Sequence, residues 1–592
     1  MNPQHREVQT KPDPDIPRPP DSPTVTSNQS GSPSIDRRKV LQVLAAGGIG
    51  SACFHRALAA QATQAGQVTT AMVQQAAWIA DLELSEDELA STTARVDRTL
   101  DKFQTLRAQP VSYDTPPAVY FSAAPGEPSG TAPIDRHVKP IGTPKLVRPE
   151  NDQDLAFLPV TDLAALLKAR KISSLQLTQL YLDRLKRYDP LLHCVVTLTE
   201  ELALKQARQA DREIASGKYR GPLHGIPWGA KDLIAYPGYP TSWGAPHFRE
   251  QLLDKKATVA QRLEDAGAVL VAKLSLGALA MGDRWFGGMT RNPWKPSEGS
   301  SGSSAGSASA TAAGLVGFTL GSETLGSIVS PCRRCGTTGL RPTFGRVSRH
   351  GCMTLAWSMD KIGPITRSVE DAALVFAAIH GADGKDPTAI NRSFHWPARK
   401  KLSDLTIGYF ENEESIDERD DLAVLRKLGV KLVPVQLPKT PARPLTLILD
   451  TEAATVFDEL TRKGITEGLN SWPTTFRQGQ FIPAVEYLRA NRVRTLLMKE
   501  MESVMAPIDA YVGGNDLVIT NFTGHPTVVI PDGFRSSGDD RVPYSITFTG
   551  KLFGESNLLA LAHAYQQETG IHLEHPRLTL PESPADKKTP GR

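Results

Sequence analysis

The sequence predicts an α/β fold in which helices cover a largely buried sheet. Two observations support this prediction. Segments with apolar residues at helical spacing alternate with short apolar runs, such as AVLVAKL at 268–274 and TVVIP at 527–531. The composition is that of an ordinary globular protein, since 40% of the 592 residues are hydrophobic and 22% are charged. A chain of this length can form one large domain with appendages.

Neither the charges nor the cysteines indicate a nucleic-acid, membrane or metal partner, although a basic groove could still form on folding. The formal net charge is only +3, and the chain has no block of five or six like charges, so we expect neither nucleic acid nor an anionic membrane as the main partner. Cys332 and Cys335 form a CxxC pair without a second one, and the histidines lack metal-ligand spacing. We therefore expect no metal and no cofactor, and the cysteines are either packed thiols or a disulfide.

The N-terminus indicates a cellular location. Residues 1–36 are rich in Pro, Ser and Asp and should be disordered. Residues 37–59 resemble a twin-arginine signal peptide, because two arginines precede a weakly apolar stretch and the small-residue pattern Ala-Leu-Ala closes it. The apolar stretch is too short for a stable membrane span. We expect export to the periplasm by the twin-arginine machinery, and the alternative is an internal amphipathic helix.

The rest of the chain divides into three parts. Residues 60–153 should contain a helical segment, with Ser85 and Glu88 as a capping box, followed by a Pro/Gly-rich strap. A compact domain is expected over 154–578, where Thr161 offers a helix N-cap. Residues 579–592 form a predicted flexible tail.

A Gly/Ser-rich stretch, SEGSSGSSAGSASATAAGLVG at 297–317, allows two interpretations. Such a run is often a flexible linker. Here it leads at once into an Ala-rich segment, a short apolar run and more glycines, with no charged tether between them. This context favours a packed loop that belongs to an active site.

Several motifs around this stretch resemble those of the amidase signature hydrolases. The matching segments are GPLHGIPWGAKDL at 221–233, GSSAGS at 302–307, LGSIVSP at 325–331, CGTTGLRPTFGRVSRHG at 335–351, DKIGPITRSVEDAALV at 360–375 and NFTGHPTVVIPDGF at 521–534. The resemblance covers about 154–578. It implies the fold of that family, a mixed central β-sheet covered by helices on both faces.

The resemblance also implies a Ser-cisSer-Lys triad. Matched motif to motif, Lys231 is the base, Ser303 the bridging serine that follows a cis peptide bond, and Ser327 the nucleophile. The family spacing of 24 residues, counted back from Ser327, selects Ser303 and leaves Ser300 and Ser301 as bystanders. The implied oxyanion hole consists of the backbone N–H groups of Thr324, Leu325, Gly326 and Ser327.

The chemistry of acyl transfer explains these residue types. A serine hydroxyl is a poor nucleophile until a base removes its proton, and a lysine can act as that base only when it is neutral. Lys231 lies in the apolar context GIPWGAK, and burial would disfavour its charged form. The glycines at 299, 302, 306, 321 and 326 allow the backbone to approach substrate and its N–H groups to converge on one small cavity.

The sequence departs from the family pattern beside the nucleophile. Glu323 replaces the customary aspartate, Leu325 replaces a glycine, and Val329 stands where the family has an arginine. A buried carboxylate needs a partner, so we expect Glu323 to pair with Arg333 or Arg334.

These features predict an exported amidase that hydrolyses a small-molecule carboxamide through an acyl-enzyme. One alternative is the glutamine-hydrolysing A subunit of a tRNA-dependent amidotransferase, which shares the triad but works in the cytoplasm. Another is a catalytically inactive binding module of the same fold. The export signal argues against the first alternative, and the retained triad argues against the second.

Overall fold

The structure of the protein is a computed structural model. It describes residues 67–111, 118–119, 136–142, 144, 146–411, 419–514, 516–538 and 540–579. The predicted disordered extension, the predicted export signal at 37–59 and residues 580–592 of the predicted tail lie outside the described residues.

Helices and strands alternate along most of the described chain. The helices are α1 Thr70–Ala77, α2 Glu86–Arg107, α3 Asp152–Phe157, α4 Val160–Lys168, α5 Ser174–Leu192, α6 Glu200–Ala215, α7 Thr258–Asp265, α8 Ala305–Ala312, α9 Val329–Cys335, α10 Val369–Ile379, α11 Asp420–Lys427, α12 Thr446–Val456, α13 Asp458–Arg462, α14 Trp472–Gly479, α15 Ala484–Met505, α16 Leu517–Thr523 and α17 Glu555–Thr569. The strands are β1 Arg136–Val138, β2 Val195–Leu198, β3 Pro227–Lys231, β4 Val269–Leu274, β5 Arg284–Trp285, β6 Gly288–Met289, β7 Arg291–Asn292, β8 Lys295–Gly299, β9 Phe318–Glu323, β10 Thr338–Arg341, β11 Lys361–Thr366, β12 Phe394–Trp396, β13 Thr406–Tyr409, β14 Lys431–Pro434, β15 Ala510–Val512, β16 Thr527–Ser537 and β17 Asp540–Gly550.

In the described chain, 11 strands form one mixed sheet in the order β14-β13-β15-β17-β16-β10-β11-β9-β3-β4-β2. Strand β3 runs parallel to β4 and β9, and β13 runs parallel to β14 and β15. The remaining neighbours are antiparallel. The fold class is therefore α/β with a mixed sheet, as the sequence predicts.

Burial shows that both faces of the central sheet are covered. Successive side chains of a strand point to opposite faces. Every residue of β3, β4, β10 and β11 is buried, so helices and loops must shield the two faces alike. The short apolar runs noted in the sequence are thus strands of this sheet, with β4 inside the AVLVAKL segment and β16 beginning at TVVIP.

The parallel pairing of β3 and β9 brings two functional segments together. Ala230 is level with Leu320 in this pair. Because the carboxyl ends of parallel strands lie at one edge, the chain leaves β3 at Lys231 and β9 at Glu323 on the same side of the sheet.

The helix caps follow the sequence in one case and differ from it in another. Ser85 and Glu88 form the predicted capping box at the start of α2. The expected N-cap at Thr161 is wrong, because α4 already begins at Val160 and Pro159 occupies the cap position. Proline fixes a backbone angle that suits a helix start, so the helix begins earlier than expected.

Helices α1 and α2, from the predicted 60–153 segment, belong to the compact unit that starts at Val68. Within the described ranges, every helix is too short or too polar to cross a membrane. The domain boundaries taken from the sequence remain predictions.

Candidate active site

Lys231 lies at the end of β3 and is fully buried. Its Nζ atom is 2.8 Å from Ser303 Oγ, 3.1 Å from Ser304 Oγ and 3.0 Å from Ser322 Oγ. The Ser322 carbonyl oxygen is a further acceptor at 3.3 Å. The lysine therefore has neutral hydrogen-bonding partners and no carboxylate in contact with it among the described residues.

This environment changes the acidity of the lysine. Burial disfavours the ammonium form and lowers the pKa of Lys231 from 10.5 to about 7, and the more remote carboxylates of Asp360 and Glu323 offset only part of the effect. Near pH 7, Lys231 is thus neutral in a large fraction of the protein molecules, and a general base must be neutral to accept a proton.

The serine-rich stretch is a packed loop and not a linker. The Ser300 N–H donates to the Thr290 carbonyl at 2.9 Å, and the Ser301 N–H donates to Asp283 Oδ2 at 2.9 Å. Ser303 is 1% exposed, and the peptide bond that precedes it is cis, as the resemblance implies. Every residue of α8, which follows the loop, is buried.

Small residues let this loop approach its neighbours. A Cβ atom placed on Gly302 would stand 1.9 Å from the Gly282 carbonyl oxygen. On Gly306 it would stand 2.5 Å from the Cys194 carbonyl oxygen. Both contacts involve backbone, which cannot swing away, so glycine is required for the loop to lie where Ser303 reaches Lys231.

Ser327 lies in the turn between β9 and α9. Its carbonyl oxygen accepts a hydrogen bond from the Ser304 N–H at 3.1 Å, so a backbone contact joins the Ser327 turn to the serine-rich loop. The hydroxyls of Ser303 and Ser327, both within the described chain, share no hydrogen bond. The structure thus brings Lys231 and Ser303 into direct contact and places Ser327 beside them through the backbone.

The same turn presents backbone donors. Gly326 has a φ of +88°, which a residue with a side chain rarely adopts. No described residue accepts a hydrogen bond from the N–H groups of Leu325, Gly326 and Ser327, and these are three of the four donors of the predicted oxyanion hole. Free N–H groups in one turn can stabilise a negative oxygen.

Glu323 does not pair with Arg333 or Arg334, so that expectation is wrong. Its Oε1 atom accepts from Arg341 Nη1 at 2.9 Å and Asn521 Nδ2 at 2.8 Å. Burial alone would raise the pKa of Glu323, but the charge and hydrogen bond of Arg341 lower it to about 2. The arginines of α9 are exposed, because this short helix turns their side chains outward, whereas Arg341 lies in a central strand.

The second oxygen of Glu323 holds the turn that contains Ser327. Its Oε2 atom accepts the backbone N–H groups of Ile328 at 2.8 Å and Val329 at 2.9 Å. These two residues directly follow Ser327, so the carboxylate fixes the backbone at the start of α9. Glu323 is therefore a positioning residue.

Two further residues hold the turn, and the sequence reasoning did not single them out. Asp360 accepts from Thr324 Oγ1 at 2.5 Å and from the Leu355 N–H at 2.8 Å. Lys361 is buried, and its Nζ atom contacts the carbonyl oxygens of Thr324 at 3.5 Å and of Met359. Burial holds the pKa of Lys361 well below its usual range. The adjacent charged pair at the start of DKIGPITRS was the available signal.

Other polar groups near the site are structural. Lys273 Nζ lies 2.6 Å from Asp232 Oδ1, and both side chains are fully buried. Cys332 and Cys335 are free thiols in the structure. No cluster of three or more His, Cys, Asp or Glu side chains suited to a metal ion occurs among the described residues.

Comparisons with known proteins agree with this geometry. The family model described as Amidase matches residues 176–514. The chain belongs to the amidase family. Members of the family with solved structures include the peptide amidase of Stenotrophomonas maltophilia, which is 30% identical, with a TM-score of 0.62 and coverage of 71% of this chain and 97% of that one. An amidase family protein of Bacillus anthracis is 25% identical, with a TM-score of 0.63 and coverage of 72% and 94%.

Among curated relatives of this amidase, the glutamyl-tRNA(Gln) amidotransferase A subunit of Coxiella burnetii is 32% identical over 482 residues, which is 71% of this chain and 99% of the relative. Its counterpart in Chloroflexus aurantiacus is 34% identical over 490 residues, with coverage of 72% and 100%. The protein is therefore an amidase signature enzyme, a hydrolase that acts on C–N bonds.

Proposed function

We propose that the protein hydrolyses a linear carboxamide of a small molecule through a serine acyl-enzyme, with Lys231, Ser303 and Ser327 as the triad. The observation that carries this proposal is the contact of 2.8 Å between Lys231 Nζ and Ser303 Oγ in a fully buried setting. A buried lysine with a pKa of about 7 next to a buried serine has the properties of a base with its proton relay.

The first half-reaction forms the acyl-enzyme. Neutral Lys231 takes the proton of Ser303, Ser303 takes the proton of Ser327, and Ser327 Oγ forms a bond to the carbonyl carbon. The relay then returns a proton to the leaving nitrogen as its bond to that carbon breaks. The missing hydrogen bond between the serine hydroxyls is compatible with this route, because such contacts often tighten only when substrate binds.

The second half-reaction releases the acid. Water loses its proton through the same relay, its oxygen attacks the ester carbonyl, and Ser327 recovers its proton as the leaving group. In both halves the negative oxygen would bind the N–H groups of the turn at Leu325, Gly326 and Ser327. Donors that are already aimed at this position need no reorganisation during the reaction.

Trapping the intermediate tests this function. We expect mass spectrometry of the protein mixed with amide substrates, followed by acid quench, to show a mass increase equal to the acyl group on the peptide that contains Ser327. Ser327→Ala should abolish both the adduct and turnover. A variant that keeps normal turnover without Ser327 would exclude the mechanism.

A second candidate is glutamine hydrolysis as the A subunit of a tRNA-dependent amidotransferase. The identity of 32% to 34% with curated relatives of that name favours it. The two candidates separate in a simple comparison, because a free-standing amidase hydrolyses simple amides when purified alone. Ammonia release from glutamine that outpaces release from every other amide tested would favour the second candidate.

We also propose that the protein is exported to the periplasm by the twin-arginine machinery. The support is the order of charged, apolar and small residues over 37–59. Replacing Arg37 and Arg38 with lysines should retain the full-length protein in the cytoplasm, where fractionation and immunoblotting would detect it. Equal export of both forms would overturn the proposal. Export would also disfavour the amidotransferase role.

A further inference from the structure

An open cavity of about 950 Å³ lies beside the proposed nucleophile segment. Its walls come from the serine-rich loop, helix α9 and the β16–β17 hairpin. Its lining residues include Ser301, Ser330, Arg333, Arg535 and Thr547. The volume is at the upper end of the range of ligand sites, about 300 to 1,000 Å³, so the cavity can hold a molecule larger than a simple amide.

Two of the lining residues lie close to the proposed reaction centre. Ser301 is two residues before Ser303 in the same packed loop. Ser330 lies in α9, and its Oγ atom is 3.0 Å from the position of a Cβ atom on Gly326. The cavity is thus lined by near neighbours of the proposed relay serine and of the proposed oxyanion turn.

Helix geometry directs two cationic side chains into the cavity. Residues three and four positions apart share one face of a helix. Ser330, Arg333 and Arg334 have this spacing in α9, and all three line the cavity. Arg333 therefore extends from the face that also carries Ser330, next to the nucleophile turn.

The cavity lining has more positively than negatively charged side chains available to a ligand. Arg334 is paired with Glu298 at 2.6 Å, and Lys295 contacts the same carboxylate at 3.0 Å. Arg333 is exposed and donates to Thr547 Oγ1 at 3.2 Å. Among described side chains, no carboxylate lies within 4 Å of Arg333.

Two other charged groups complete the lining. Arg535, on the hairpin, is also exposed and has no ion pair with a described residue. The carboxylate of Asp283 lines the cavity too, and its Oδ2 atom accepts the Ser301 N–H. Among described residues, the lining thus has two cationic side chains without an ion pair, Arg333 and Arg535. It has one anionic side chain without an ion pair, Asp283.

We propose that this cavity binds an anionic group of the substrate through Arg333, so that the preferred substrates are amides that carry a carboxylate. The inference rests on the proposed amidase function and specifies its substrate class. A guanidinium has five N–H donors in a planar arrangement, and the Thr547 hydroxyl uses one of them. The others can bind a carboxylate in the two-pronged geometry that arginine favours.

Binding to an inactive protein tests the inference apart from turnover. In the Ser327→Ala background, calorimetry would compare N-acetylated dipeptide amides with Glu, Met or Lys at either position. Met matches Glu in size without its charge, and two positions allow for different depths in the cavity. We expect the better Glu peptide to bind at least about fivefold more tightly than its Met counterpart, and the difference to shrink as salt is raised.

Substitutions identify the residue responsible. Adding Arg333→Met should remove the difference between the Glu and Met peptides, and Arg333→Glu should make the Lys peptide the tighter ligand. Arg333 is exposed, so neither change should prevent folding. Arg208→Met is the matched control, because Arg208 is an exposed arginine of α6 outside the cavity, and it should keep the preference for Glu.

Three results would overturn the inference. These are equal binding of the Glu and Met peptides at both positions, no detectable binding of any peptide, and a preference for Glu that survives Arg333→Met. Such results leave the amidase proposal intact if active protein still releases ammonia from amides and Ser327→Ala does not. A different result, turnover that persists in Ser327→Ala, would contradict the amidase proposal itself.

Discussion

Four polar atoms lie around Lys231 Nζ, and all of them belong to neutral serine groups. Without an adjacent carboxylate, the ammonium form loses its hydration and gains only neutral dipoles in return. Burial without a counter-charge therefore favours the neutral form of Lys231, which is the form that the proposed base requires. A single acidic residue in contact with this nitrogen would reverse the effect.

We predict that the rate follows the protonation of Lys231. Since the base must be neutral, kcat/KM should rise with pH through an apparent pKa of about 7 and then level off. The measurement is a pH profile of kcat/KM between about pH 5 and 9 with a neutral substrate. Lys231→Met should abolish activity at every pH. A profile that is flat over this range would contradict the assignment of the base.

The choice of Ser303 rather than Ser301 as the relay serine gives a second prediction. Ser303→Ala breaks the contact with Lys231 and should lower kcat by about 10³-fold or more, whereas Ser301→Ala should be mild because its hydroxyl makes no hydrogen bond to a described residue. The Ser303→Ala, Lys231→Met double variant should be scarcely worse than the poorer single variant, since residues that act as a unit give non-additive losses. An equal loss of kcat in folded Ser301→Ala and Ser303→Ala variants would show that the assignment of Ser303 as the relay serine is wrong.

At the scale of elements, the turn between β9 and α9 depends on a fully buried carboxylate. Glu323 closes the strand, accepts two N–H groups from the start of the helix and binds Arg341 of β10. One side chain thus joins two strands and a helix behind the proposed nucleophile, Ser327.

Replacing this carboxylate should be costly. Glu323→Gln leaves the buried guanidinium of Arg341 without its counter-charge and should lower the free energy of unfolding by about 3 kcal/mol. Denaturant unfolding would measure it. Arg334→Gln removes an exposed ion pair and should change stability by less than about 1 kcal/mol. A similar loss in both variants would contradict the role of the buried pair.

The same carboxylate predicts a dependence of stability on pH. The pKa of Glu323 is lower in the folded protein, at about 2, than the ordinary value of 4.5. A depressed pKa gives stability that is present above the unfolded value and is lost as pH falls toward the folded value. The wild type should therefore lose more stability than Glu323→Gln on acidification below about pH 4.5, as unfolding curves would show.

The error about Glu323 shows what the sequence could and could not predict. The alternation of helical and apolar segments was sufficient to predict the α/β class, because burial of a central strand demands apolar residues on both faces. The family spacing that came with the resemblance selected Ser303, and the structure places this serine in contact with Lys231, while its role as relay stays a prediction. The partner of Glu323 depended on the strand order β9-β11-β10, which brings Arg341 close and which no local pattern encodes. Arg333 is nearer in sequence but lies on the exposed side of α9.

At the scale of the whole molecule, helix α2 is joined to the body by both apolar and charged contacts. Phe103 and Leu106 are buried in a cluster with Leu445 and Ile448. Charged contacts surround this cluster, between Lys102 and Asp450, Arg107 and Glu486, and Glu88 and Arg477. The segment before the family-matched region is thus part of the folded unit.

Removal of this segment should destabilise the enzyme. A chain that begins at residue 110 exposes the cluster around Leu445, and its melting temperature should fall, whereas a chain that begins at residue 68 should keep it. Leu106→Ala should cost about 2 to 5 kcal/mol, and exposed Gln104→Ala less than about 0.5. Calorimetry measures both series. Unchanged melting of the chain that begins at residue 110 would show that α2 is dispensable.

The long β16–β17 hairpin contributes to the cavity but not to the proposed catalytic groups. Its outer half lines the cavity, whereas the proposed catalytic groups come from β3, the serine-rich loop and the turn before α9. Mutations at the hairpin tip can therefore change what the cavity holds without moving the atoms that perform acyl transfer. Such independence makes new specificities accessible in small evolutionary steps. For the same reason, a library randomised at Arg535 and Tyr544 is a natural starting point for directed evolution of this enzyme.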